Sequence, residues 1–125
     1  MKPLCKKETI IFEGKLYSKE TLNSDFSKYK RLRITYADFD YENANTSGCS
    51  NVIELDLEKC GTHVTNYIAT SQNIYNVFQT IEKNMSAGFQ VNAEKTEFMA
   101  IFAYGLEIYN NKKKEYYVSK IVGIE

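Results

Sequence analysis

The chain has 125 residues, a length that suits one domain able to bury roughly two-thirds of its unfolded surface. Lys plus Arg number 16 and Asp plus Glu number 16, so the formal charge is zero. That balance argues against nucleic-acid binding, which favours net positive charge, and against strong binding to a membrane surface. A hydrophobic content of 43% argues against disorder, and no apolar run approaches the roughly 20 residues that span a bilayer.

Ten Tyr and seven Phe stand beside one Pro and no Trp. Aromatic residues suit half-buried pleated surfaces, and turns must then rely on Gly, Asn, Asp and Ser. The stretch Met1–Lys7 lacks the apolar core of a signal peptide. Cys5, Cys49 and Cys60 are therefore expected to be free thiols.

In chain order, Thr9 to Glu13 reads as a first strand that Gly14 interrupts, and Lys15 to Leu22 as a weaker extended stretch. Tyr29 to Ala37 is the clearest strand. Leu32, Ile34 and Tyr36 point one way while Arg31, Arg33 and Thr35 point the other. Asp38 to Ser50 is polar and reads as a long surface loop. Asn51 to Leu57 alternates again, with Ile53, Leu55 and Leu57 inward. Cys60-Gly61 reads as a turn, and Val64 to Thr70 as a strand with a poor period.

Ser71 to Asn84 reads two ways. Ile74, Val77, Phe78 and Ile81 match the amphipathic helix template, yet Tyr75, Val77, Phe78 and Thr80 favour strands. Ala87 to Val91 alternates. Thr96 to Ala103 is apolar on both faces, which predicts a central strand covered on each side. Asn110 to Lys114 reads as a charged turn, and Glu115 to Ile124 as the last strand. Seven to nine short strands between polar turns predict a single antiparallel β-sandwich or jelly-roll domain over residues 1–125, mainly β with room for one short helix.

No catalytic set assembles, and the chain reads as a non-enzyme without cofactor or metal. His63 is the only histidine, three residues after Cys60, and no family signature surrounds this pair. Cys60-x2-His63 is one close pair, but a structural zinc site takes two such pairs. Asp38, Asp40 and Glu42 alternate with Phe39 and Tyr41, so an extended chain places the carboxylates on one face and the rings on the other. A solvated loop entry explains this run more simply than calcium or a glycosidase pair. Glycan contact is the milder functional option: Asp38 and Asp40 to bond hydroxyls, Phe39 and Tyr41 as apolar platforms.

Two stretches carry a resemblance. One is Ile11-Phe12-Glu13-Gly14, then Leu22, then Phe26 to Tyr36. The other is Tyr116 to Ile124, with Asn92-x3-Thr96 before a strand adding to it. This pattern resembles phage and prophage tail-fibre or minor structural proteins, over roughly a third of the chain at its two ends. The resemblance implies a β-sandwich module of a virion, made in the bacterial cytoplasm. It implies a homo-oligomer (a trimer first), contacts with other virion proteins and contact with a bacterial surface glycan. A carbohydrate-binding module outside any virion is the alternative.

Overall fold

Alternation with a period of two becomes eight strands, with no helix among the described residues. The computed structural model describes residues 7–38, 50–75, 80–107 and 112–125. In order the strands are β1 (Glu8–Leu16), β2 (Thr21–Asn23), β3 (Arg31–Asp38), β4 (Ser50–Asp56), β5 (Asn66–Tyr75), β6 (Thr80–Val91), β7 (Glu97–Glu107) and β8 (Lys112–Ile124). Their pairing is antiparallel throughout.

Hydrogen bonding runs β4-β3-β8-β7-β6-β5, with β1 also on β8 and β2 also on β7. Strand β8 serves both ends of this order. Lys112–Glu115 pair with β7; from Tyr116 onward β8 pairs with β3, and from Val118 onward with β1 as well. The expectation of an antiparallel all-β chain is met. The pairing gives one curled sheet, a coarser description than sandwich or jelly roll.

The curl encloses a single hydrophobic cluster. One half of the sheet supplies Leu32, Ile34, Tyr36, Ile53, Leu55, Val118 and Ile121; the other supplies Met85, Ala87, Phe89, Val91, Phe98 and Ala100. The rings of Phe89 and Phe98 stack with centroids 5.4 Å apart and 13° between planes, a contact that contributes about 1 kcal/mol beyond its buried area.

Several segments differ from the sequence reading, each for a local reason. Lys15 to Leu22 is not one extended stretch. Strand β1 runs through Gly14 to Leu16, and a turn follows in which Glu20 N donates to Tyr17 O at 3.1 Å, Tyr17 N donates to Glu20 Oε1 at 3.0 Å, and Lys19 takes a φ of 70°. The described part of Ser71 to Asn84 is strand. Its helical spacing is incidental, because Ile74 and Ile81 face each other across the β5–β6 ladder. Lys112 to Lys114 are not a turn but the first residues of β8, paired with Glu107 to Gly105.

Strand β7 looked two-faced because it carries a bulge. Phe89 pairs with Ala100 but Gly88 pairs with Phe102, so Ile101 is the extra residue. Such a slip exchanges the faces of everything beyond it. Phe98 and Ala100 are buried before the bulge and Ala103 after it, while Phe102 turns outward. The Asn92-x3-Thr96 motif closes the preceding hairpin: Asn92 Oδ1 accepts from Thr96 N at 2.8 Å and Glu97 N at 2.9 Å, and Asn92 Nδ2 donates to Thr96 Oγ1 at 2.7 Å.

Two substitutions test this packing. A Cβ on Gly123 would stand 2.5–2.7 Å from the Tyr29 ring, so Gly123→Ala is expected to cost about 1–3 kcal/mol, read as a lower urea midpoint at unchanged slope. Among the described residues the Tyr36 hydroxyl is buried without a hydrogen-bond partner, in a residue 1% exposed. Tyr36→Phe is expected to stabilise by about 1 kcal/mol, since an unpaired buried hydroxyl opposes folding. Burial also raises the Tyr36 phenol above its ordinary 10.0. The unfolded phenol then ionises first, and the wild type loses stability as pH rises past that value. Tyr36→Phe should flatten this alkaline loss; an unchanged alkaline limb would refute the assignment.

Candidate binding face

The two outer faces of the curled sheet differ in charge. Over β1, β8, β3 and β4 the outward rows hold Glu8, Arg31 and Asp56 with Ile124, then Arg33 and Glu54 with Ile10 and Val122, then Glu13 and Lys120 with Thr35 and Val52. Arg33 donates to Glu8 at 2.9 and 3.2 Å and to Glu54 at 3.2 and 3.3 Å. This triad spans β1, β3 and β4 across Val122 of β8, which lies in the Arg33 row. Hydrogen bonds from Arg33, aided by its charge, hold the Glu8 carboxyl below its ordinary 4.5.

Over β5, β6, β7 and β2 the outward rows are Ala69–Ser86–Tyr104, Tyr67–Gly88–Phe102, Gln90–Met99–Thr21 and Asn92–Glu97–Asn23. Within these four strands Glu97 is the one charged side chain of the rows, and on β8 the Tyr104 row continues to the exposed Glu115. Tyr67 is 76% exposed and Tyr104 46%. The rings form a chain: Tyr67 to Phe102 at 6.0 Å and Phe102 to Tyr104 at 5.3 Å. Gly88 makes this possible. A Cβ there would meet the Phe102 ring at 2.5 Å, so the ring lies over bare backbone.

Two depressions open on this face or at its margin. The aromatic one, about 380 Å³, lies where the partner of β7 changes from β2 to β8; Tyr17 and Ser18 form one wall, Phe102 and Tyr104 another, Glu115 and Tyr116 a third. The polar one, about 320 Å³, is lined by Thr21, Asn23, His63, Gln90, Glu97 and Met99. His63 reaches it through a turn in which its φ is 57° and its N–H donates to Val91 O at 3.0 Å. Tyr17 also packs on Tyr117, ring centroids 5.9 Å apart.

The residues singled out from sequence are placed differently. Asp38 is the last residue of β3, paired with Tyr116. Phe39, Asp40, Tyr41 and Glu42 lie outside the described residues. Cys60 and His63 serve separate surroundings. Cys60 packs on the hydrophobic cluster and its Sγ donates to Asp56 O at 3.3 Å, whereas His63 is exposed. Burial raises the Cys60 thiol, the opposite of what a nucleophile needs. Among the described residues no three His, Cys, Asp or Glu side chains stand together as a metal set, and Cys5 and Cys49 lie outside those residues. No helix among the described residues is long and apolar enough to cross a membrane.

Sequence reasoning missed Tyr67, Phe102, Tyr104 and Glu97. The tyrosine excess was the available signal, but the Ile101 bulge that turns Phe102 outward leaves no mark in composition. The charged face yields its own prediction. Because the folded-state pKa of Glu8 is lowered, its contact with Arg33 favours folding above pH 4.5 and is lost as pH falls through the folded-state value. In Arg33→Gln, an NMR titration of Glu8 is expected to move up towards 4.5; an unmoved titration would contradict the triad.

No protein-family model, curated protein or solved structure matches the chain.

Proposed function

We propose that the chain is a binding and assembly module without catalytic activity, belonging to a phage or prophage virion, and that it contacts a neutral surface glycan through the outer face of β5, β6, β7 and β2. The observation that carries the glycan reading is the ring run Tyr67–Phe102–Tyr104, both tyrosines exposed and Phe102 half-buried between them, on a sparsely charged face. Flat rings suit the apolar faces of sugars, and the flanking amides and hydroxyls of Asn23, Gln90, Thr21 and Ser18 suit their hydroxyl rims. Neutrality argues for a neutral partner, since a charged one would be met by complementary charge. The virion setting rests on the terminal strand patterns that resemble tail modules. Assembly rests on the edges of the sheet: among the described residues β4 and β5 end the bonding order, and edge strands favour association or need cover.

A carbohydrate-binding module outside a virion is the second reading, favoured by the same neutral face. A glycan array distinguishes them. Binding to a bacterial surface polysaccharide supports the virion reading, particularly if tail, holin or lysin genes adjoin this one; binding to plant polymers supports the second. Tyr67→Ala and Tyr104→Ala are each expected to weaken glycan binding about tenfold, roughly 1.4 kcal/mol, without moving the melting temperature. Unchanged affinity in both would remove this face from the proposal. Light scattering is expected to show a closed oligomer, a trimer first; a monomer at high concentration would overturn the assembly half.

A further inference from the structure

We infer that the aromatic and polar depressions are two ends of one extended glycan site, so that the ligand is an oligomer lying along β7 rather than a single sugar. This rests on the glycan reading above and adds length and direction to it. The Tyr67–Gly88–Phe102 row and the Gln90–Met99–Thr21 row are consecutive on the outer face, separated on β7 only by the Ile101 bulge. Beside them the β1–β2 turn meets β7 at Ala100, whose N–H donates to Glu20 O at 3.1 Å and whose carbonyl accepts from Lys19 N, so the exposed Lys19 and Glu20 stand at the margin between the two rows. From Glu97 to Tyr104 the strand covers about 20 Å, room for about four linked hexoses.

The two ends differ in chemistry. At one end Phe102 and Tyr104 offer rings, with Glu115 and Ser18 at the rim. At the other, Glu97, Asn23, Thr21 and His63 offer hydrogen-bonding groups around Met99. The backbone under the polar end is held independently of those groups, because the Asn92 side chain bonds Thr96 and the Glu97 N–H. Gln90 Nε2 donates to Thr65 Oγ1 at 2.9 Å, which fixes that amide in place. A short ligand fills the aromatic end alone. A longer one reaches Glu97 and Asn23 and gains their hydrogen bonds with little further loss of freedom.

Calorimetry on the full chain with two ladders, N-acetylglucosamine oligomers and β-linked glucose oligomers of two to six units, tests this. Affinity for one ladder is expected to rise at least tenfold between two and five units. Glu97→Ala and Asn23→Ala should erase that rise and leave the two-unit affinity intact; Tyr104→Ala should weaken binding at every length. If Tyr104→Ala weakens binding while affinity is flat with length, or while Glu97→Ala and Asn23→Ala are silent, the extended site is refuted and the glycan reading stands. If neither ladder binds, both fail. If Tyr104→Ala instead dissolves an oligomer, the face is a contact between copies and the extended site is likewise refuted.

Discussion

The fold depends on β8 having partners in both halves of the curled sheet. Its first four residues pair with β7, Tyr116 and Tyr117 pair with β3, and from Val118 onward it is the central strand between β3 and β1. A strand that leaves one neighbour for two others must bend, and its partners must tolerate the change of register. Ser119 absorbs part of this. It is the extra residue where Thr35 pairs with Lys120 but Tyr36 with Val118, and its hydroxyl donates to Thr35 O at 3.2 Å. Strand β1 makes its own adjustment at Gly14 and Lys15, between the Glu13–Lys120 and Leu16–Val118 pairs. The core closes because Val118 and Ile121 then face Met85, Phe89 and Phe98 in one cluster.

The same departure of β8 creates the aromatic depression. Where β8 turns away after Glu115, β7 has β2 on one side of the gap and β8 on the other, and the β1–β2 turn carries Tyr17 and Ser18 to its edge. Phe102 faces this gap only because of the Ile101 bulge, and its ring lies flat only because Gly88 has no side chain. Thus the feature that closes the fold also places the rings, and the two cannot be altered independently at β7.

Much of the fold was legible where one face is wet. Leu32, Ile34 and Tyr36, and likewise Ile53, Leu55 and Leu57, are buried as their alternation required. Legibility failed where pairing rather than local pattern decides. Ile74 and Ile81 satisfy a helical spacing and a hairpin register at once, and only the β6 partner chooses. Bulges are set by a neighbouring strand, so the outward turn of Phe102 has no local signature. The acidic-aromatic run at Asp38 to Tyr41 stands out along the chain because its chemistry is contiguous in sequence. The outer face of β5, β6 and β7 comes from three consecutive strands with the distant β2 added at its edge, and its side chains meet only through a cross-strand register that a scan along the chain does not supply.

A net charge of zero conceals a segregation that the fold imposes. Strands β3 and β4 place Arg31, Arg33, Glu54 and Asp56 outward together with Thr35 and Val52, so their outer face carries matched charges once the remaining apolar residues turn inward. Strands β6 and β7 place Ser86, Gly88, Gln90, Met99 and Tyr104 outward, so theirs is sparsely charged, with Glu97 in one row and Glu115 of β8 beside Tyr104. The Glu8–Arg33–Glu54 triad is exposed and contributes little to stability. Its consequence is positional: it keeps opposite charges matched among themselves on one side. On the other side charge is sparse, and the exposed surface is mainly rings, amides and hydroxyls.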